Sequence, residues 1–89
     1  MKLQIQSKGL YFDADEGTVV YFDPHSGDTH LLSDFAAFIL QQFDNGSLTR
    51  DELMGEISRT VEPSDTYSLT QSVAGILDEL ISLDILTRA

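Results

Sequence analysis

The stretch Thr18-Val19-Val20-Tyr21-Phe22-Asp23-Pro24-His25-Ser26-Gly27-Asp28-Thr29-His30-Leu31-Leu32 decides the fold. Residues 18–22 are all β-branched or aromatic, the side chains that suit a pleated surface, so they read as a strand. Pro24 presets φ for the second position of a type I turn, and Gly27 can take a positive φ. That loop reverses the chain, and residues 28–32 return as an antiparallel strand. On the N-terminal side, Gly9-Leu10-Tyr11-Phe12 is a partner strand, set off by the turn-forming run Asp13-Ala14-Asp15-Glu16-Gly17. The reading is a meander of three short strands.

Helices follow. Ser33 is placed as an N-cap, and Asp34 sits where the positive helix end favours a carboxylate. Across residues 34–43, Ala36, Ile39, Leu40 and Phe43 share one stripe, flanked by Phe35 and Phe38. Those two rings belong either to the core or to the border of a partner surface. Gly46, after Asp44-Asn45, is a candidate left-handed terminator. Thr49-Arg50-Asp51-Glu52 has the form of a capping box, with Leu48 and Leu53 at the staple positions. Leu53, Met54, Ile57 and Val61 give the second helix its apolar stripe, and Glu62-Pro63-Ser64-Asp65 ends it, since proline disfavours the α conformation before it. The third helix is expected to start between Asp65 and Ser68 and run to about Leu83, with Leu69, Val73, Ile76, Leu77 and Leu80 at helical spacing. Ile85-Leu86 forms a short strand or a packed tail. The order is β-β-β-α-α-α: a single α+β domain over residues 1–89, winged-helix-like, with its hairpin in front.

Composition narrows the function. The chain carries 5 basic and 15 acidic residues, a formal charge of −10. Lys2, Lys8, Arg50, Arg59 and Arg88 are scattered and form no cluster. Phosphate backbones and anionic bilayers are bound through clustered Lys and Arg, so neither nucleic acid nor membrane is expected as a partner. No run approaches the roughly 20 apolar residues of a spanning helix. Residues 1–8 have no apolar run behind their two lysines, so no signal peptide is read and a cytoplasmic location is expected. Cysteine is absent, which removes disulfides, thiolate ligands and a thiol nucleophile. The chain contains neither a Gly-x-Ser-x-Gly elbow nor a glycine-rich phosphate loop, so no enzyme activity and no cofactor are expected. His25 and His30 lie near Asp23 and Asp28, which raises a metal site. With no third imidazole to complete it, both are expected to be surface residues, His30 with the further option of contacting a bound peptide.

The string from Val19 to Leu32 resembles the signature hairpin of the PqqD-like proteins. So do the Ala-containing first helix, the Leu48-Thr49-x-x-Glu52-Leu53 start of the second, and the ending Leu80-Ile81-x-Leu83-Asp84-Ile85-Leu86. The resemblance covers roughly residues 17–87. The Asp23-Pro24-His25-Ser26-Gly27-Asp28-Thr29-His30 run is most similar to the subgroup that accompanies a protein related to HPr kinase. It implies a peptide chaperone, or precursor-peptide recognition element: a leader peptide adds as a strand beside the third strand, lies against the third helix, and is presented to a modifying enzyme. One departure is Asp84, which stands where the family has a glycine as left-handed stop; Asp tolerates that conformation better than most residues.

The residues themselves point the same way. A short meander leaves a border of unpaired N–H and C=O groups, and strand addition uses such groups for affinity. Asp28, Thr29, His30, Leu31 and Leu32 form the expected template. Gln71, Ser72, Gly75, Ile76 and Glu79 on the third helix form the expected facing wall. Gly75 either leaves room there or marks tight packing on the second helix, because glycine inside a helix costs about 1 kcal/mol. Two rival functions are a winged-helix transcription factor reading DNA with the third helix, and a docking subunit that binds no free peptide. The DNA reading is opposed by a recognition face of Ser68, Gln71, Ser72, Asp78 and Glu79 with no Lys or Arg before Arg88. A monomer or a strand-swapped dimer is expected.

Overall fold

The structure, a computed structural model, describes residues 2–60 and 66–89. Two antiparallel three-stranded sheets and three α-helices make an α+β fold in which a strand meander precedes the helices. The meander comprises β2 (Leu10–Asp13), β3 (Thr18–Asp23) and β4 (Asp28–Ser33), in the order β2-β3-β4. Its register sets Tyr11 opposite Tyr21 and Tyr21 opposite His30 on one face, and Phe12 opposite Val20 and Val20 opposite Leu31 on the other.

The loop between β3 and β4 is built around Asp23, which is buried. Its carboxylate accepts the His25 N–H at 2.9 Å and the Ser26 hydroxyl at 3.2 Å, while its carbonyl accepts the Gly27 N–H at 2.8 Å. A buried carboxylate is tolerated when its oxygens are hydrogen-bonded, and here the bonds also fix the reversal.

α1 (Asp34–Gln41) leaves β4 without a loop: the Ser33 hydroxyl accepts the Ala36 N–H at 3.1 Å, as an N-cap should. The α-helix ends two residues earlier than expected and tightens into a 3₁₀ turn (Gln42–Asn45) that carries buried Phe43. Gly46 has φ 141° and ψ −177°, an extended positive-φ conformation in place of the expected left-handed helical one. α2 (Arg50–Thr60) starts on a complete capping box. The Thr49 N–H donates to Glu52 Oε1 at 2.9 Å, and the Glu52 N–H donates to Thr49 Oγ1 at 3.1 Å. Val61 and the expected stop at Glu62-Pro63-Ser64-Asp65 lie outside the described residues.

α3 (Thr66–Ser82) ends in a Schellman motif. Asp84 has φ 61°, its N–H donates to the Ile81 carbonyl at 3.0 Å, and the Ile85 N–H donates to the Leu80 carbonyl at 3.0 Å. Leu80 and Ile85, the apolar pair that accompanies this motif, are both buried.

Residues 2–5 correct the expected β-β-β-α-α-α order. Lys2-Leu3-Gln4-Ile5 is a strand, β1 (Lys2–Ile5), between β5 (Leu48–Thr49) and β6 (Leu86–Arg88). It pairs antiparallel with both. Of the two options for the segment after α3, the short strand is the one adopted. Leu3 alternates with exposed neighbours and is itself buried, so this second sheet closes the core from below.

That core joins Tyr21 and Leu32 of the meander, Ile39 and Leu40 of α1, and Leu53 and Ile57 of α2. Val73, Leu77 and Leu80 of α3 meet Leu3 and Leu86 of the small sheet on the other side. Each fully buried aliphatic chain contributes about 1.5–3 kcal/mol, which lets an 89-residue chain hold together without a cross-link. No helix among the described residues is long and apolar enough to cross a membrane.

Candidate functional site

β4 is hydrogen-bonded to β3 on one side only, and among the described residues no strand lies on its other side. Its side chains alternate as a half-covered strand requires. Leu32 is buried and His30 half-buried on the inner face, while Thr29 and Leu31 are exposed on the outer one. The five expected template residues therefore share one open edge, with Asp28 exposed at its start.

His30 is not the plain surface residue expected. It stands opposite Tyr21 on the inner face, and its Nε2 is covered without a hydrogen-bond partner. His25 is exposed at the turn, as expected. Among the described residues no group of three or more His, Asp or Glu is arranged to hold a metal ion. Tyr11 and Tyr21 line the same inner face, with ring centroids 5.0 Å apart, and the Tyr21 hydroxyl donates to the Ser7 carbonyl at 3.3 Å. Burial pushes both phenols above their usual range. Asp44 adds to the effect at Tyr11, and Asp23 adds to it at Tyr21.

Beyond β4, Phe35 and Phe38 stack at 6.3 Å with 17° between their rings. Both are half-buried and packed against the core, so they lie between the two alternatives the sequence left open.

α3 supplies the other five expected contacts. One flank faces α2: Thr70, Val73, Ala74 and Leu77 line a 50 Å³ cavity with Arg50 and Met54, and the Arg50 guanidinium reaches Asp78 at 3.4 Å. At about 100° per residue, Ser72, Ile76 and Glu79 fall on the opposite flank, with Gln71 and Gly75 on the outer surface. Gln71, Ser72, Gly75 and Glu79 are exposed; Ile76 is half-buried against the core. A Cβ at Gly75 would meet nothing within 4 Å, so tight packing on α2 is not what this glycine serves.

The ten residues thus form two sets, one strand edge and one helix flank. β4 packs on β3 and α1, α3 packs on β6, and no comparable packing joins α3 to β4. Two further concavities lie elsewhere: one of 460 Å³ beside β6, lined by Leu3, Arg50 and Arg88 among others, and one of 180 Å³ near Asp44. Neither includes any of the ten. A strand edge needs no cavity, because its recognition groups are backbone N–H and C=O.

The sequence reading missed the outer face of the meander. Leu10 is 59% exposed, Phe12 53% and Leu31 73%, and Val20 and Phe22 lie in the same cross-strand rows. The signal was present in Val19-Val20-Tyr21-Phe22, which has no polar alternation; a strand apolar on both faces is characteristic of one covered on both.

No protein-family model matches the chain, and neither does any curated protein or solved structure. The likeness to the PqqD-like proteins rests on the hairpin and helix motifs quoted above.

Proposed function

We propose that this chain is a cytoplasmic peptide-binding adaptor of the PqqD-like kind, which captures a precursor's leader segment by strand addition and presents it to a modifying enzyme. A protein related to HPr kinase is the partner suggested by the hairpin motif. The observation that carries the reading is the unpaired side of β4, six residues long and continuous with α1. β2 offers a second edge of four residues, so β4 gives a guest strand more backbone partners. The open space over Gly75 and the exposed Ser72 and Glu79 suit a helix flank beside a guest strand. α3 carries no Lys or Arg and exposes Asp78 and Glu79, which opposes a role in the major groove.

The test is a titration of the labelled protein with synthetic peptides from short reading frames encoded beside the gene, followed by backbone amide shifts. Adaptor function predicts shifts concentrated at residues 28–32 and along residues 71–79. Binding that leaves the β4 amides silent would sink it. Affinity for an intact neighbouring enzyme but for no peptide would indicate a docking subunit, and tight binding to duplex DNA would restore the transcription-factor reading.

A further inference from the structure

The outer face of the meander turns away from the core, yet its residues are those of an interior. The register puts Phe12, Val20 and Leu31 in one row across the three strands and Leu10, Phe22 and Thr29 in the next. Leu10, Phe12 and Leu31, more than half exposed, belong to a contiguous apolar strip. Such strips on small proteins mark interaction sites, whereas isolated exposed apolar residues need no explanation.

The surrounding charge selects the partner. Asp13 ends β2, Asp15 and Glu16 lie in the following turn, and the Asp34 N–H donates to the Gly17 carbonyl at 3.1 Å, which brings Asp34 to that turn. All four are exposed. Asp15, Glu16 and Asp34 therefore border the Phe12–Val20–Leu31 end of the strip with no basic residue among them, while Asp13, in register with Val19, lies on the inner face and adds only to the local negative charge. A second copy of this chain, at −10, would set acid against acid. An anionic lipid surface is disfavoured for the same reason. The distance from β2 to β4 is two strand spacings, roughly 10 Å, which matches the width of one α-helix.

We infer that the outer face of β2-β3-β4 docks a basic amphipathic helix of a protein partner, its apolar side on Phe12, Val20 and Leu31 and its Lys or Arg residues against Asp15, Glu16 and Asp34. Leu31 belongs both to this face and to the β4 edge, but the face is used through outward side chains and the edge through backbone N–H and C=O groups, so the inference stands whether or not that edge takes a peptide.

The probe is a synthetic Leu/Lys amphipathic helix of roughly 18 residues, about five turns. Its controls are a scrambled peptide of the same composition and a Leu/Glu version. The variant is Leu10→Ser with Phe12→Ser, on the strand farthest from the β4 edge; both residues are exposed, so far-UV circular dichroism and thermal midpoint should be retained. Expected are amide shifts centred on residues 10, 12, 20, 22 and 31, no binding of the Leu/Glu helix, and affinity about tenfold weaker in the variant, as expected for the loss of two apolar contacts. Equal binding of the scrambled peptide, shifts centred elsewhere, or full affinity in the variant would each overturn the proposal. So would a dimer in sedimentation that the variant abolishes, or partition into neutral vesicles that it abolishes, because another occupant would then own the face. Leader-peptide binding to β4 persisting in the variant keeps the two tests separate.

Discussion

Gly9 is held against the ring of Tyr21 and the carbonyl oxygen of Phe22, so closely that a Cβ there would overlap both. Its neighbours are a fully buried ring and backbone, which cannot swing aside. Gly9→Ala should therefore lower stability by about 1–3 kcal/mol, the usual cost of overpacking, read as a shift in the urea midpoint. Nothing local to Gly9 announces this, because the constraint comes from a tyrosine twelve positions on in another strand. Asp84 is the opposite case. The resemblance to the PqqD-like proteins implied a left-handed stop at this position, and φ is 61°. A left-handed L-residue costs about 1–2 kcal/mol, less for Asp, and glycine returns part of that gain as unfolded-state entropy. Asp84→Gly should raise stability by up to about 1 kcal/mol, visible as a higher thermal midpoint without change in the circular dichroism spectrum.

Elements defined by neighbouring residues were legible, and those defined by distant partners were not. The capping box at Thr49 and Glu52 was readable because its hydrogen bonds span only three residues. Thr49→Ala removes an acceptor for the Glu52 N–H and should cost about 1 kcal/mol, measured by chemical denaturation. Glu52 is held below the ordinary carboxylate range by the Thr49 N–H first, then by the Thr49 hydroxyl and Lys2. The cap's contribution is thus present at neutral pH and is lost as pH falls through that lowered value. The meander was legible for the same local reason, and with it the edge on which the candidate site rests. β1 was not: four residues of alternating character gain meaning only once Leu48 and Leu86 are beside them. The helix flank of the site is intermediate. Periodicity gave Ser72, Ile76 and Glu79 a common stripe, but which way that stripe turns was set by α2 packing on the other side.

For the whole molecule, the sheet interior sets an alkaline limit. The phenols of Tyr11 and Tyr21 are both pushed above the ordinary value of 10.0 by burial. Above that pH the unfolded chain releases protons that the folded chain keeps, so stability falls as pH rises from about 10 toward the raised folded values. Urea midpoints should drop over that range, tyrosinate absorbance should grow in step with unfolding, and Tyr11→Phe should lessen both effects. The small sheet bears on a different property. β1 pairs with β6, so strands from opposite ends of the chain must meet, whereas the meander's strands are joined by tight turns. Closing so long a loop is entropically slow, and it is rewarded only after the rest has assembled. The barrier to folding should then be crossed with the meander formed and the terminal strands still apart. Leu3→Ala, a buried truncation worth about 2–5 kcal/mol, should steepen the loss of native protein by speeding unfolding while barely slowing refolding. Both limbs of a stopped-flow chevron would report it, and an equal effect on the refolding limb would mean that the two ends find each other first.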